Sequence, residues 1–582
     1  MENQWTLRKF SHYLLPYKWP LLSAFLFGII GGGSSVLMTY LTGKSIDKML
    51  GEGQVLFAEL YSVLTYFALA ILTASLTQWF IQRIANHISY QVVDEIRKDT
   101  FDKLNHLPLH FFDTQSIGDI TSRFTNDLDY VAEAMISIFN NIFSGMTIVI
   151  ISLITMLNLN ITLTLVVLLT TPFMFFVTWL IAQTSQKRFL EQQEIVGNIS
   201  NYVTEIVGNQ KLVKAFQYEH VSMNEFDSRN EKLYGVGQKA QLVSSLTNPL
   251  SRFIDHLSYI AIGFTGGYLI LKGHPSLSVG ILSSFIIYSS QFTKPFIELS
   301  GITPQIQSAL AGLTRVFKIM NHKNEPDDSH LPDVPGKIHG EIEFRNVNFS
   351  YQKNQPLIQN FSLKVTAGET IAIVGNTGAG KSTLVNLLMR FYDIDAGEIL
   401  LDGSSISHYR RDSLRRSFGM VLQDTWLFDG TIRENLTFGN SEVTEEQLIS
   451  AAKSAKIDRF IENLPQKYDT LIGNNGISIS EGQRQLLTIA RTMIANPPML
   501  ILDEATSSVD SLTELSIQEA FLKMMTGKTS FVIAHRLSTI KEADRILVMK
   551  DGQVVEIGTH DDLLANKNGF YYQLYHAQFA EV

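Results

Sequence analysis

Residues 375–382 read GNTGAGKS, a glycine, four residues, then glycine, lysine and serine. An apolar strand-like stretch (370–374) precedes the run and an apolar helical pattern follows it, the context in which this spacing wraps a phosphate chain. Backbone N–H groups of Gly375, Asn376, Thr377, Gly378, Ala379 and Gly380 can close around the β-phosphate, and the start of the helix adds a favourable dipole. Lys381 has the reach for the β and γ oxygens, Ser382 has a hydroxyl for Mg²⁺, and Thr383 follows it in the same turn. A second run, PPMLILDEATSSVD (497–510), has four apolar residues ending in Asp503 and Glu504. Carboxylates at the end of a buried parallel strand sit at the sheet edge where ligands bind. Asp503 suits the Mg²⁺ shell, and Glu504 is placed to polarise an attacking water as general base. The chemistry is phosphoryl transfer from a nucleoside triphosphate to water.

These residues occupy only the second half of the chain. At 582 residues the chain is too long for one compact core. Its formal net charge of −9 argues against a nucleic-acid partner, and the absence of cysteine excludes disulfides and thiolate metal sites. The N-terminal MENQWTLRKFSHYLLPYKWP has the mixed apolar and basic pattern of an interfacial helix, with no cleavable leader. Six segments, near 20–43, 55–82, 136–157, 161–184, 245–271 and 279–300, are apolar enough to cross a membrane. Only NLN (158–160) separates the third from the fourth, which predicts a tight hairpin.

Lysine and arginine orient these spans. Arg83, Arg97, Lys98, Lys103 and Arg123 lie between spans two and three, and Lys187, Arg188, Lys211, Lys214, Arg229, Lys232 and Lys239 between spans four and five. The opposite loops carry only Lys44, Lys48 and Lys272. Both termini and both basic excursions are therefore expected in the cytoplasm of a cell-membrane protein. Each excursion carries a patch of apolar and charged residues, FFDTQSIGDITSRFTNDLD (111–129) and GNQKLVKAFQYE (208–219), suited to docking in a groove. Arg252 with Asp255, and Lys294 with Glu298, have the spacing of helical ion pairs in spans five and six.

The ordered motifs resemble those of ABC transporters, and nearly the whole chain resembles an exporter-type half-transporter. The resemblance implies an α-helical six-span transmembrane domain (1–302) with two coupling helices at the patches above, a linker (303–340), and an α/β P-loop ATP-binding domain (341–582). It implies that Tyr351 stacks on adenine, that Gln423 senses Mg²⁺ and the attacking water, that Asp510 contacts the other monomer, and that His535 holds the γ-phosphate. ATP and Mg²⁺ are the implied cofactors, and Ser382, Gln423 and Asp503 the implied Mg²⁺ set.

One stretch departs from the family pattern. The turn GISISEGQRQ (476–485) has Ile479, Ser480, Glu481, Gly482 and Gln483 where the family has leucine, serine, glycine, glycine, glutamine. The resemblance implies that this turn presses on the γ-phosphate held by the partner's P-loop. A carboxylate there brings like charges together, and at ~4 Å and an effective dielectric of ~20 they repel by about 4 kcal/mol. Gly473-Asn474-Asn475-Gly476 also replaces the family's Gly-Glu-Arg-Gly. The pattern resembles the catalytic-glutamate-bearing subunit of heterodimeric bacterial multidrug exporters. The expected partner is a different half-transporter with an intact turn, and the expected cargo amphipathic: drugs, dyes, lipids and peptides all fit Phe- and Leu-rich spans. A homodimeric lipid or peptide exporter is the alternative, and an ATP-gated sensor or channel a more distant one.

Overall fold

The computed structural model describes residues 2–49, 55–274, 277–353, 355–423, 425–438, 440, 442–473, 476–503, 510–534 and 537–579. The chain divides into two compact units: Met1–His106 with Gln115–Lys323, and Leu107–Thr114 with Asn324–Val582.

The first unit is helical throughout. Long helices cover all the expected spans: Lys18–Asp47, Phe57–Asn105, the run from Leu128 through Leu159, Ile161–Gly208, Thr247–Leu271 and Val279–Gly301. Among the described residues, four helices are long and apolar enough to cross a membrane, and Ile161–Phe173 is a shorter apolar stretch. The NLN hairpin is tighter than three residues. Thr147–Leu159 ends at Leu159, and Asn160 alone turns the chain, its side chain accepting the Leu163 N–H at 3.0 Å to cap the next helix. The spans approach closely at small residues. A Cβ on Gly28 would lie 1.9 Å from the Phe143 carbonyl oxygen, so only glycine permits that crossing. Buried Tyr288 in the sixth span donates to the Val36 carbonyl in the first at 2.9 Å.

Lys294 and Glu298 pair at 3.8 Å as their spacing predicts. Arg252 and Asp255 do not pair among the described residues. Asp255 is turned toward the sixth span, where Thr293 Oγ1 donates to it at 3.4 Å, while Arg252 is exposed.

Beyond the spans, Phe57–Asn105 continues as a long extension whose Ile88, Val92 and Ile96 pack with Leu128, Val131, Leu313 and Phe317. The N-terminal helix Glu2–Leu14 lays Phe10, Tyr13 and Leu14 on the same core, and Tyr13 and Tyr17 donate to Asp99 and Glu95, each at 2.7 Å. The linker expected over 303–340 is shorter than its polar composition suggests. Thr303–Asn321 is a helix of the first unit, because Ala309, Leu313, Val316 and Phe317 fall on one face and bury it. Beside that face Arg315 grips Asp127 bidentately, at 2.8 and 2.5 Å, and buried Gly312 makes room for the aspartate.

The second unit is α/β. Its six-stranded sheet runs 553–558, 545–550, 370–375, 529–533, 499–503, 418–421, all parallel save the antiparallel edge pair 545–550 and 553–558. Parallel strands covered on both faces read as continuous apolar runs, as Met499–Leu502 and Phe531–Ile533 do. A four-stranded antiparallel sheet, 358–365, 342–349, 396–401, 404–405, packs Ile342, Phe344 and Phe361 into a shared core.

The register sets the site. Ile533 lies opposite both Ile373 and Asp503, so three strands reach one edge together. The loop after Gly375 leaves the sheet from that edge, where the strands ending at Asp503 and Ile533 also finish.

Candidate functional site

The strand Thr370–Gly375 buries Ile371, Ala372, Ile373 and Val374 and delivers the loop to the sheet edge. A Cβ on Gly375 would stand 2.3 Å from the Met549 carbonyl oxygen, so the neighbouring strand forbids any side chain there. Gly378 and Gly380 have φ of 83° and 96°, a left-handed backbone open to glycine. Turns of this kind aim successive N–H groups into one concavity, an anion nest. Asn376, Thr377 and Gly378 are exposed at its rim, while Ala379 and Gly380 are buried beneath. Gly380 caps the helix Lys381–Leu388, whose N-terminus completes the nest.

Lys381 reaches across the loop. Its ammonium donates to the Gly375 and Asn376 carbonyls at 2.6 and 3.2 Å. Burial pushes its pKa below the usual lysine value, and the charge of Asp503 opposes that shift, which places the strand-end carboxylate within electrostatic reach of the ammonium. Ser382 is exposed at the helix start, and Thr383, buried, accepts a long 3.4 Å hydrogen bond from the Tyr351 hydroxyl. Tyr351 also receives the Asn386 amide at 3.2 Å and packs edge-on against Phe349 (4.9 Å) and Tyr392 (5.0 Å). Tyr351 is 39 % exposed and so accessible to a ligand.

Gln423 is exposed just beyond the strand Phe418–Val421. Asp503 closes the strand Met499–Asp503 at the same edge. Glu504 and His535, the expected base and γ-phosphate ligand, lie outside the described residues, as do Asn474 and Asn475. Asp510 caps the helix Ser511–Met525, accepting the Thr513 N–H at 3.0 Å. No group of three or more His, Asp or Glu among the described residues could hold a metal. A hydroxyl, an amide and one carboxylate fit a cation that keeps water and phosphate oxygens as its other ligands, the habit of Mg²⁺.

The signature turn, Ile479 to Gln483, is well formed. Ser480 caps the helix Glu481–Ala495 in a reciprocal box with Gln483: Gln483 N–H donates to Ser480 Oγ at 3.3 Å and Ser480 N–H to Gln483 Oε1 at 3.0 Å. Gly482 is buried behind it. The Glu481 carboxylate does not stand free toward a phosphate. Thr425 Oγ1 donates to Oε1 at 2.7 Å, and Arg484 Nε lies 3.3 Å from Oε2. The charge is compensated within the chain, so the 4 kcal/mol repulsion of bare charges overstates its effect. Arg484, three residues on, was open to prediction from helical spacing; Thr425, 56 positions away, left no such signal.

A further contact was not anticipated residue by residue. The short helix Leu109–Thr114 belongs to the second unit, where Asp113 accepts a hydrogen bond from Tyr392 and His110 meets the same ring edge-on at 6.2 Å. This is the start of the first predicted docking patch. The second is helical at Gln210–Ala215, with Leu212 and Phe216 exposed.

A phosphate nest at the carboxyl edge of a parallel sheet, joined in one chain to membrane-spanning helices, defines an ATP-driven membrane transporter. Residues 21–296 match the ABC transporter transmembrane region family and residues 358–507 the ABC transporter family. A fatty acid ABC transporter ATP-binding/permease protein of Mycobacterium tuberculosis is 40 % identical over 542 residues, 93 % of this chain and 85 % of that one. An ATP-dependent lipid A-core flippase of Syntrophus aciditrophicus is 34 % identical over 562 residues, 95 % of this chain and 91 % of that one. The structure of a bacterial Atm1-family ABC exporter with ATP bound superposes with a TM-score of 0.77 at 28 % identity, covering 97 % of this chain and 99 % of that one. The chain belongs to the ABC transporter family, as an exporter half-transporter that couples ATP hydrolysis to transport.

Proposed function

We propose that this chain is the catalytic half of a two-subunit exporter of amphipathic, hydrophobic compounds, drugs among them. Residues 375–383 grip the triphosphate, with Lys381 on the β and γ oxygens and Tyr351 against adenine. Ser382, Gln423 and Asp503 would hold Mg²⁺, which when bound neutralises charge between those oxygens. Glu504 takes the proton from the attacking water, His535 holds the γ-phosphate, and Asp510 faces the other subunit. The second subunit supplies an intact signature turn to this site. In return, Ser480, Glu481, Gly482 and Gln483 face its P-loop at a site that hydrolyses poorly. Lysine and arginine placement supports a cytoplasmic side for both termini and the ATP-binding unit. The helices Leu109–Thr114 and Gln210–Ala215 carry the nucleotide-driven motion to the spans.

The observation that carries the asymmetric reading is Glu481 at the first position of the helix Glu481–Ala495, where the family has glycine. Its side chain adds bulk at the point of closest approach to phosphate and is committed to Thr425 and Arg484. The pairing with Arg484 also favours a second reading, a homodimer in which the compensated charge is tolerated. The substrate class draws support from relatives named for fatty acid and lipid A-core.

ATPase turnover of this chain purified alone separates the two readings: the asymmetric pair gives little, and robust turnover supports the homodimer. Uptake of a fluorescent amphiphile into inverted vesicles, with matching ATPase stimulation, tests the cargo.

A further inference from the structure

Gln423 and Glu481 belong to different ATP sites under the reading above. Gln423 faces the nucleotide on this chain's own P-loop, whereas Glu481 faces the one held by the partner. Two residues after Gln423, Thr425 donates its hydroxyl proton to Glu481 at 2.7 Å. A glycine at 481 offers no acceptor, so this bond exists only because the turn departs from the family pattern. Arg484, three residues on along the same helix, brings Nε to 3.3 Å from the other carboxylate oxygen as an ion-pair neighbour, without a hydrogen bond. Trp426, beside Thr425, is 72 % exposed, while Leu427 packs on the core and Phe428 stacks on Phe438. Farther along, Arg491 donates to the Trp426 carbonyl at 3.3 Å and the Phe428 N–H donates to Asn435 Oδ1 at 2.8 Å, so the Thr425 tie holds the end of the segment nearest Gln423.

We propose that Glu481 is a positioning residue that fastens the Gln423 segment to the signature helix through Thr425, so that movement at one ATP site is felt at the other within a single chain. Closure of the signature helix on the partner's nucleotide draws on the segment that places Gln423. Loss of the segment's order, in turn, loosens the turn. The carboxylate is thus a mechanical link rather than only a defect. The proposal rests on the assignment of Gln423 and the signature turn to opposite sites.

The test is hydrogen exchange in the full-length chain within its purified membrane assembly, following segments 422–429 and 481–487 as ATP with Mg²⁺ is titrated. Thr425→Val and Glu481→Gly should each speed exchange over 422–429 by about three- to tenfold, the worth of one hydrogen bond to a charged acceptor near a surface. Thr425→Ser keeps the donor and should stay within about twofold of the native rate on the same grounds. The double variant should be no worse than either single change, the mark of a shared interaction. In the native chain both segments should respond at one nucleotide concentration, and in Thr425→Val the two midpoints should separate. Additive effects in the double variant, or equal effects of Val and Ser at 425, overturn the link. Lys381→Ala checks the underlying assignment separately: ATP binding that survives it contradicts the placement of the nucleotide and leaves the exchange cycle intact.

Discussion

The phenol of Tyr392 donates a hydrogen bond to the Asp113 carboxylate, and its ring meets that of Tyr351 edge-on at 5.0 Å. Burial and the neighbouring carboxylate hold the phenol's pKa above its usual value, so it remains a donor across the physiological range. One side chain thus touches both the candidate adenine platform and the helix Leu109–Thr114. Under the proposed function, a nucleotide on Tyr351 would share an aromatic neighbour with the segment expected to move the spans.

Tyr392→Phe removes only the hydroxyl. Affinity for ATP should change less than about twofold, because the ring pair survives, while stimulation of ATPase by transported compound falls severalfold. Tyr392→Ala removes the ring as well and should weaken ATP binding by up to about tenfold. A fluorescent ATP analogue and a coupled ATPase assay distinguish the two effects.

Glu504→Gln keeps the shape of the side chain and abolishes its basicity. Hydrolysis should fall by about 10²- to 10⁴-fold with ATP binding retained. Unchanged turnover removes Glu504 from the role of base.

Legibility followed distance along the chain. The phosphate loop was readable because strand, glycines, lysine and helix lie within twenty residues, and local backbone chemistry decides their shape. The Asn160 hairpin was readable for the same reason. The helix Thr303–Asn321 was also written in the sequence, in the spacing of Ala309, Leu313, Val316 and Phe317, but the polar residues between them disguised it as linker. Contacts such as Tyr392–Asp113 and Thr425–Glu481 join segments 279 and 56 residues apart, and only the folded chain brings them together. Glu481 itself stood out in the sequence. Its partners decide what it does.

Arg315→Ala should destabilise the first unit. Asp127 has 8 % side-chain exposure, against 48 % for Arg315, so the change strands a buried carboxylate whose partner was half solvated. A cost of about 2 kcal/mol is expected, below the range for fully buried pairs. Arg315→Lys, lacking the bidentate fork, should recover only part of it. Thermal unfolding in detergent measures both.

Asp510 is held below the usual carboxylate range, first by the Thr513 N–H it accepts. A depressed pKa contributes stability that is fully present above the ordinary value of about 4 and is lost as pH falls through the folded one. Asp510→Asn keeps a capping oxygen without the charge, and should flatten this acid limb while leaving the helix Ser511–Met525 intact at neutral pH. Circular dichroism of native and variant chains from neutral pH to about pH 3 reads the difference.

The most direct measurement is the composition of the assembly carrying this chain, tagged in its native membrane, trapped with vanadate and ATP and weighed intact by mass spectrometry. An unequal pair of half-transporters, with one trapped nucleotide retained through Glu504 of this chain, is the predicted result. Two copies of this chain, each holding trapped nucleotide equally, contradict it.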